Sequence, residues 1–208
     1  MITDGLNPFT VLLFLGSVLA AGALTVTYVF ARITKREQIA WISLRVLLGG
    51  VGAYAVLLTC FSAASHSRVL APGEEKHICE IDCHLAYSIA AATSETLQNG
   101  RVRHVVTVKV RFDEQTIAPW RPKDAQLSPN SRYVALVDSK GNRYAGSSDG
   151  LKRRLVPGES YTTDLVFDVP ANAAPLRLIL RNADPESAFI IGHENSFWHG
   201  RITFQLPG

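Results

Sequence analysis

The stretch KHICEIDCHLAYSI, residues 76–89, combines two cysteines and two histidines with a regular alternation of side-chain type. From position 79 onward, the odd-numbered residues are apolar and the even-numbered residues are polar or small. A period of two is typical of a β-strand that buries one face. The stretch therefore predicts a strand over 79–89, and it raises the question of whether its cysteines have a chemical role.

Further strands are predicted downstream of this stretch. Runs rich in β-branched and aromatic residues occupy 104–112, 132–138, 142–146, 160–169, 175–181 and 200–206. Turn signals rich in Gly, Pro, Asn and Asp separate them. Such a series of short strands predicts an all-β antiparallel sandwich, immunoglobulin-like in type, over residues 76–208.

Two apolar segments precede the β-rich region. Residues 8–30 and 46–64 contain no charged side chain, and about 20 apolar residues suffice to cross a bilayer as a helix. We expect transmembrane helices over about 8–30 and 42–64, forming a transmembrane hairpin over 1–65. The connector then covers 31–41, and a polar linker covers 66–75.

The charges that flank these segments predict an orientation. The N-terminal flank MITDGLN contains an acid and no Lys or Arg, which is the wrong sign for a signal peptide. Basic residues concentrate instead around the connector, and positive charge is retained on the cytoplasmic side. We therefore expect a multi-pass protein of the bacterial inner (cytoplasmic) membrane, with the N-terminus and the C-terminal domain on the periplasmic side. The predicted membrane-interface residues are Arg32, Lys35, Arg36, Trp41 and Arg45.

The interior of the predicted hairpin contains small residues and no ionisable side chain at mid-helix. Small residues allow helices to approach closely, so the hairpin can pack on itself or on other membrane helices. Cys60 follows LLT in a partial likeness to a lipoprotein cleavage box. We interpret Cys60 as a small apolar residue of a membrane helix, with lipidation as the alternative.

A family resemblance is carried by LVPGESYTTDLVFDVPANAAPLRLIL, residues 155–180, and by DSKGNRY, residues 138–144. These runs resemble bacterial secreted and lipoprotein-borne immunoglobulin-like domains of unknown function, related to the mycobacterial immunoprotective extracellular protein. The resemblance covers roughly residues 100–182. It implies the fold, and it supplies no catalytic residue.

The two cysteines of the opening stretch have several interpretations. On a regular strand Cys79 and Cys83 lie about 13 Å apart, whereas a disulfide needs Cα atoms within roughly 7 Å. A bond between them is therefore disfavoured unless the strand turns here. Buried apolar packing and an intermolecular disulfide both stay open.

A copper site is the sharper alternative. Two membrane helices followed by an exported β-domain resemble subunit II of haem–copper oxidases, which binds dinuclear copper through C-x-x-x-C. Cys79 and Cys83 match that spacing, but Tyr87 and Ala90 stand where that family has its histidine and methionine. The resemblance therefore implies the architecture without the dinuclear site.

A different copper or other metal site would draw on Cys79, Cys83, His77 and His193. Thiolate and imidazole are suitable copper ligands. His84 and His199 could join them if the first and last strands are neighbours, although alternation points His84 to the opposite face.

A second dense cluster is IIGHENSFWHGR, residues 190–201. Loops contribute disproportionately to recognition, and an amphipathic Trp suits an interface. We expect this loop to contact a partner through His193, Glu194, Asn195, Trp198 and His199.

The functional expectation follows from these features together. No phosphate-binding loop, nucleophile elbow or cofactor fingerprint is present, so we expect no enzyme activity and no cofactor. The net charge of +3 gives no reason to expect nucleic acid binding. We expect an accessory or structural subunit that docks onto a larger respiratory or photosynthetic membrane complex, with the lipid bilayer and other integral membrane subunits as partners. A periplasmic copper- or metal-binding redox protein is the alternative, and an exported ligand-binding module is the third.

Overall fold

The computed structural model describes residues 2–3, 8–78, 84–98, 100–117, 122–173 and 175–207. The chain divides into two compact units. The β unit consists of Met1–Gly5, His66–Pro185 and Arg201–Gly208, and the helical unit consists of Leu6–Ser65 and Glu186–Gly200. The segment Glu186–Gly200 thus belongs with the helices, although the flanking residues on both sides belong to the β unit.

The helical unit contains two long helices, α1 (Pro8–Ile33) and α2 (Glu37–Ala64). Both predicted helices are present, but the connection between them is shorter than the predicted 31–41. The Thr34 amide donates to the Phe30 carbonyl and so continues the α1 pattern, and Lys35 takes a left-handed conformation (φ 57°) that reverses the chain. At 1.5 Å per residue, α1 and α2 are about 39 Å and 42 Å long.

Among the residues that the structure describes, the β unit contains ten strands. They are β1 (Ile2–Thr3), β2 (Arg68–Leu70), β3 (Lys76–Ile78), β4 (Leu85–Thr96), β5 (Arg101–Phe112), β6 (Arg132–Val137), β7 (Arg143–Ala145), β8 (Ser160–Pro170), β9 (Arg177–Asn182) and β10 (Ile202–Gln205). Short 3₁₀ turns at Glu114–Thr116 and Asp149–Lys152 join some of them.

These strands form two five-stranded sheets with the orders β1-β3-β4-β5-β8 and β2-β10-β9-β6-β7. All pairings are antiparallel except β1 with β3 and β2 with β10, which are parallel. The parallel pairs were not expected, because β1 and β2 come from the N-terminal flank and the predicted linker. An immunoglobulin constant domain divides seven strands four and three, so the immunoglobulin-like topology stays a prediction.

One hydrophobic core lies between the two sheets. It combines Tyr87 and Val108 from the first sheet with Leu136 and Leu180 from the second, all of them buried. The alternation of β8, in which Leu165, Phe167 and Val169 are buried, follows the pleat of a strand with one core face. The β unit is therefore a sandwich whose core is supplied by its own strands.

The stretch that opened the sequence analysis differs from its prediction. Ile78 of β3 pairs with Leu85 of β4 in an antiparallel register, so the expected strand over 79–89 is replaced by two paired strands, of which the second begins at Leu85. β4 extends to Thr96 because it pairs along its length with β5, with a β-bulge between Ile89 and Ala91. Residues 79–83, and with them Cys79 and Cys83, lie outside the described residues.

Two cations are buried in the sandwich and link its sheets. Lys76 of β3 donates from Nζ to the carbonyl of Leu180 at 2.7 Å. Arg132 of β6 donates to the Tyr87 hydroxyl at 3.0 Å and to Asn182 Oδ1 at 2.8 Å. Hydrogen bonds of this kind offset the cost of removing a charged group from water.

Candidate functional site

The surface of the helical unit is the first candidate, because it is apolar on all sides. Both helices are long and apolar enough to cross a membrane, by length and composition. In the most apolar window of each helix, the residues buried within the structure amount to 0% for α1 and 6% for α2. The core helix of a water-soluble protein buries an apolar stripe against its neighbours. These helices instead expose apolar side chains around their circumference, including Phe30, Leu48 and Val51.

The predicted membrane-interface residues gather at the connector end of the hairpin. Arg32 in the last turn of α1 donates to Glu37 in the first turn of α2 at 2.6 Å. Lys35 and Arg36 lie in the connection itself. Trp41 and Arg45 are exposed on α2, and Arg45 lies eight residues after Glu37, about 12 Å along the helix axis. Arg45 therefore lies further from the start of the helix than a helix over 42–64 would place it, because α2 begins at Glu37.

A groove of about 510 Å³ opens on the surface of the helical unit. Of its lining residues, only two carry a hydroxyl, and both hydroxyls donate to carbonyl groups of the chain: Ser17 to Leu13 and Tyr54 to Phe189, each at 2.7 Å. The groove therefore presents apolar surface. Its walls are Phe14, Ser17, Val18, Ala20, Ala21 and Leu24 of α1, Val46, Leu47, Gly50, Val51, Tyr54, Ala55 and Leu58 of α2, and Phe189 and Phe197.

The segment Glu186–Gly200 contains every residue predicted to contact a partner. His193 and Glu194 are buried and Asn195 and His199 are partly buried, whereas Trp198 is 81% exposed. His193 Nδ1 accepts a hydrogen bond from the Asn195 amide, and the Asn195 side chain donates to Ser187 Oγ. This arrangement differs from the prediction that the loop presents His193 and Glu194, because these polar side chains turn inward within a series of tight turns.

Aromatic side chains form the exposed face of the same segment. Phe189 and Phe197 meet edge to face with ring centroids 5.6 Å apart, and Trp198 lies beside Phe197 at 6.3 Å. The three side chains are 49%, 50% and 81% exposed, respectively. Among these three aromatic residues, the sequence pattern predicted a partner contact for Trp198 but not for Phe189 or Phe197. Spacing within the segment does not distinguish an inward polar residue from an outward aromatic one.

Tyr54 is a second residue that the sequence analysis missed. Its hydroxyl joins α2 to the Phe189 carbonyl, 135 positions later in the chain. At the other end of the segment, the Gly200 amide donates to Ser65 Oγ at 2.6 Å. A phenolic hydroxyl in an uncharged helical run was a usable signal, because such a group normally finds a hydrogen-bond partner when buried.

His77, one of the two histidines of the predicted metal site, belongs to a cluster of charged side chains with Asp113, Arg111 and Glu75. Buried His77 donates from Nε2 to Asp113 Oδ2 at 3.1 Å. Arg111 donates to the same carboxylate at 3.3 Å and makes a two-point contact with Glu75 at 2.9 and 2.6 Å. Burial works against ionisation of Asp113, but its hydrogen bonds from His77, the Gln115 amide and Arg111 outweigh burial and lower its pKa. The Arg111 hydrogen bond is the main reason that the pKa of Glu75 is also lowered.

Within the described ranges, no group of three or more His, Cys, Asp or Glu side chains is placed to hold a metal ion. His84 is buried and stacks on Phe112 with ring centroids 4.6 Å apart. His193 lies in the helical unit and His77 in the β unit. Cys79 and Cys83 lie outside the described residues, so a copper site that uses them stays a prediction.

The chain thus combines a β-sandwich with a pair of long apolar helices. No family model matches the sequence, and neither does any curated protein. Among solved structures, it is similar to the secreted Mycobacterium tuberculosis protein MPT63, at 12% identity and a TM-score of 0.44, over 68% of this chain and 99% of that one. A conserved hypothetical protein from Bacillus anthracis is similar at 13% identity and a TM-score of 0.37, over 53% of this chain and 93% of that one. Similarities this distant carry no argument about function.

Proposed function

We propose that this protein is a membrane-anchored, exported β-sandwich with a structural rather than a catalytic role, acting without a cofactor. One observation carries the proposal: α1 and α2 leave their apolar surface uncovered, while the sandwich completes its own core. Apolar surface exposed on this scale favours a lipid or protein environment. Two helices that span the membrane place this apolar surface in lipid and leave the sandwich in water.

The N-terminus supports the orientation that we propose. Ile2–Thr3 forms strand β1 and pairs with β3, so the residues before α1 join the same sheet as residues that follow α2. Two crossings return the chain to the side on which it began. With the basic connector on the cytoplasmic side, both ends and the sandwich lie on the periplasmic side of a bacterial inner membrane.

The finer part of the proposal is that the hairpin docks into a larger membrane complex, respiratory or photosynthetic in type, as an accessory subunit. The groove of the helical unit supports it, because small residues on both helices (Ala20, Ala21 and Gly50) leave room for another apolar surface. Interfaces between membrane helices are enriched in such residues.

Crosslinking in native membranes tests the accessory role. A photo-reactive amino acid at Leu48, exposed on α2, is compared with one at Val166, exposed on the sandwich. We expect Leu48 to yield discrete crosslinked protein bands and the solubilised protein to migrate on native gels as part of a larger species. A protein that migrates alone and crosslinks only to lipid would refute the accessory role and leave the membrane anchor intact.

The copper alternative is tested separately. Elemental analysis of protein purified without a tag, together with alkylation of its thiols before and after unfolding, reports on Cys79 and Cys83. Stoichiometric copper lost in a Cys79→Ser variant would favour the redox role over the structural one. An exported ligand-binding module ranks third, because no contact among the described residues identifies a ligand.

A further inference from the structure

We propose that the segment Glu186–Gly200, which contains no α-helix, inserts into the outer leaflet of the membrane beside α1 and α2 as a third membrane element. This inference rests on the proposed function, because it requires that the two helices cross the bilayer. It deepens that function by naming the lipid acyl region as the medium that this segment contacts. Four features of the segment support it.

The segment satisfies many of its own polar groups. Its backbone forms successive turns in which amides donate to carbonyls three positions earlier: Ile190 to Ser187, His193 to Ile190, Ser196 to His193 and His199 to Ser196. The Ser196 hydroxyl donates to the Ile190 carbonyl, and His199 Nδ1 donates to the Gly200 carbonyl. Irregular backbone is tolerated at membrane depth where it is buried in protein rather than exposed to lipid. Ser187, Ile190, His193 and Ser196, which form these turns, are all buried.

Apart from Glu186, which is exposed at the start of the segment, the segment turns its charged side chain inward and its aromatic side chains outward, as a lipid environment requires. His193, Glu194 and Ser196 are buried, whereas Phe197 and Trp198 face outward. A surface loop in water normally shows the reverse pattern. The backbone of Trp198 is in the left-handed region (φ 61°), a conformation that is disfavoured for a residue with a bulky side chain. Aromatic side chains of this kind are enriched at membrane interfaces.

Two hydrogen bonds set the depth of the segment along α2. Gly200 is joined to Ser65, immediately beyond the end of the helix, and Phe189 is joined to Tyr54. Tyr54 lies ten residues before Ala64, which is about 15 Å along the axis. In a hydrocarbon layer about 30 Å thick centred on α2, Phe189 reaches the outer half of the layer, and Trp198 stays near its surface.

The groove is lined by the segment and by both helices together. Phe189 and Phe197 line it together with residues of both helices, and its hydroxyls are already used within the chain. The outward side of the segment therefore continues the apolar surface of the hairpin. Acyl chains match the part of this surface that Phe189, Phe197 and Trp198 form, because these exposed side chains are aromatic.

Tryptophan fluorescence in vesicles tests the insertion. The chain has three tryptophans, so Trp41→Phe combined with Trp120→Phe leaves Trp198 as the reporter. The full chain is reconstituted into phosphatidylcholine and phosphatidylglycerol vesicles whose acyl chains are brominated near the headgroup or near the methyl end. We expect Trp198 to emit at short wavelength, to lose most of its intensity to shallow bromines and less to deep ones, and to resist aqueous iodide.

Two control reporters separate this inference from the proposed function. In a background without other tryptophans, Val51→Trp reports on mid-helix and should be quenched most by deep bromines, while Val166→Trp reports on the sandwich and should be quenched by iodide. If Val51→Trp responds to bromines but Trp198 responds only to iodide, the insertion is refuted and the anchor stands. If Val51→Trp does not respond to bromines, both are refuted.

A protein contact is the remaining outcome. Shielding of Trp198 from iodide and from both bromine positions, in vesicles that contain only this protein, would indicate that a second copy covers the segment, and it would overturn the proposal. Should the Trp198 reporter fail to fold, Phe197→Trp in the tryptophan-free background examines the same surface, with deeper quenching expected than for Trp198.

Discussion

Tyr54 provides one of two hydrogen bonds by which the segment Glu186–Gly200 is joined to α2 and to the residue after it. Its hydroxyl donates to the Phe189 carbonyl, which lies inside the turn from Ser187 to Ile190, and the next turn begins at Ile190. A net hydrogen bond contributes about 1 kcal/mol to stability. That contribution is small beside apolar packing, but it acts at one defined point of an otherwise apolar contact.

Replacing Tyr54 with Phe should loosen this segment without unfolding the protein. We expect the amides of His193 and Ser196 to exchange with solvent roughly five-fold faster, which corresponds to the loss of about 1 kcal/mol. Hydrogen exchange of the full chain in nanodiscs measures this. Tyr28→Phe is the control, because Tyr28 lies on α1 beside Arg32 and Trp41 at the connector. Equal exchange in both variants would contradict the prediction.

In the β unit, Asp113 is the residue on whose charge we base a prediction about stability. It accepts hydrogen bonds from His77 and Arg111, and its pKa is lowered in the folded state, as is that of Glu75. A lowered folded-state pKa stabilises the protein above the unfolded-state value, which is about 3.9 for Asp and 4.3 for Glu. This contribution is lost as pH falls through the folded-state pKa.

The Asp113→Asn variant should therefore be less stable at pH 7 by roughly 1–3 kcal/mol, since Arg111 and His77 lose a buried anionic acceptor. Wild type should lose stability below about pH 4, and the variant should lose less over that range. Denaturant unfolding of the detergent-solubilised chain at several pH values measures both effects. Asp168→Asn, in the exposed ion pair with Arg103, should have a smaller effect, because solvent screens exposed pairs. Equal losses in the two variants would rule out a special role for Asp113.

Among the elements, the β3–β4 hairpin changes the view of the cysteines most. The expected separation of about 13 Å between Cys79 and Cys83 required one continuous strand. Because Ile78 pairs antiparallel with Leu85, β3 and β4 are two separate strands, and a separation calculated for one continuous strand no longer applies. The spacing therefore gives no ground for excluding a disulfide between the two cysteines.

A charged substitution on α2 tests whether this helix spans the membrane. Val51 on α2 and Val166 on β8 are both about half exposed, at 55% and 49%. An aspartate at the centre of a membrane helix costs about 2.5–3.5 kcal/mol in insertion, whereas an exposed substitution in water usually changes stability by less than about 0.5 kcal/mol. We expect Val51→Asp to reduce the membrane-inserted fraction strongly and Val166→Asp to be tolerated. Carbonate extraction followed by immunoblotting distinguishes them, and equal tolerance would argue against a spanning α2.

The packing of β8 against the residue that follows β7 provides a prediction for the sandwich. A Cβ added at Gly146 would overlap the ring of Phe167. Overpacking of this kind costs about 1–3 kcal/mol, so Gly146→Ala should lower the unfolding free energy by that amount. Ala145→Val, at an exposed neighbour in β7, is the control and should change it little. Denaturation followed by circular dichroism measures both, and an unchanged Gly146→Ala would show that Phe167 moves aside without cost.

For the molecule as a whole, orientation is the property to test. A phosphatase active only outside the cytoplasm should be active when fused after Gly208 and inactive when fused after Lys35. A fluorescent protein that matures only in the cytoplasm should show the opposite pattern at the same two positions. Retained positive charge at Arg32, Lys35 and Arg36 is the cause that we assign. The reverse pattern would place the sandwich in the cytoplasm.

Local patterns predicted most of the elements from the chain alone. Uncharged runs gave the two helices, and period-two alternation with turn residues gave the six strands after residue 100, because helix and strand periodicity are properties of consecutive side chains. The bounds were less accurate: the helices take up most of the expected connector, and β4 extends beyond its apolar half because pairing with β5 continues.

Contacts between distant positions could not be read from the sequence. Such contacts include the parallel pairings of β1 with β3 and of β2 with β10, the hydrogen bond from Tyr54 to Phe189, and the pairing of Ile78 with Leu85. The burial of His193 likewise depends on folding rather than on spacing. Periodicity describes which face of an element is apolar, but it does not state which element will cover that face. In this protein the composition of the chain was enough to predict the two helices. Only the tertiary structure showed that the segment Glu186–Gly200 packs with them.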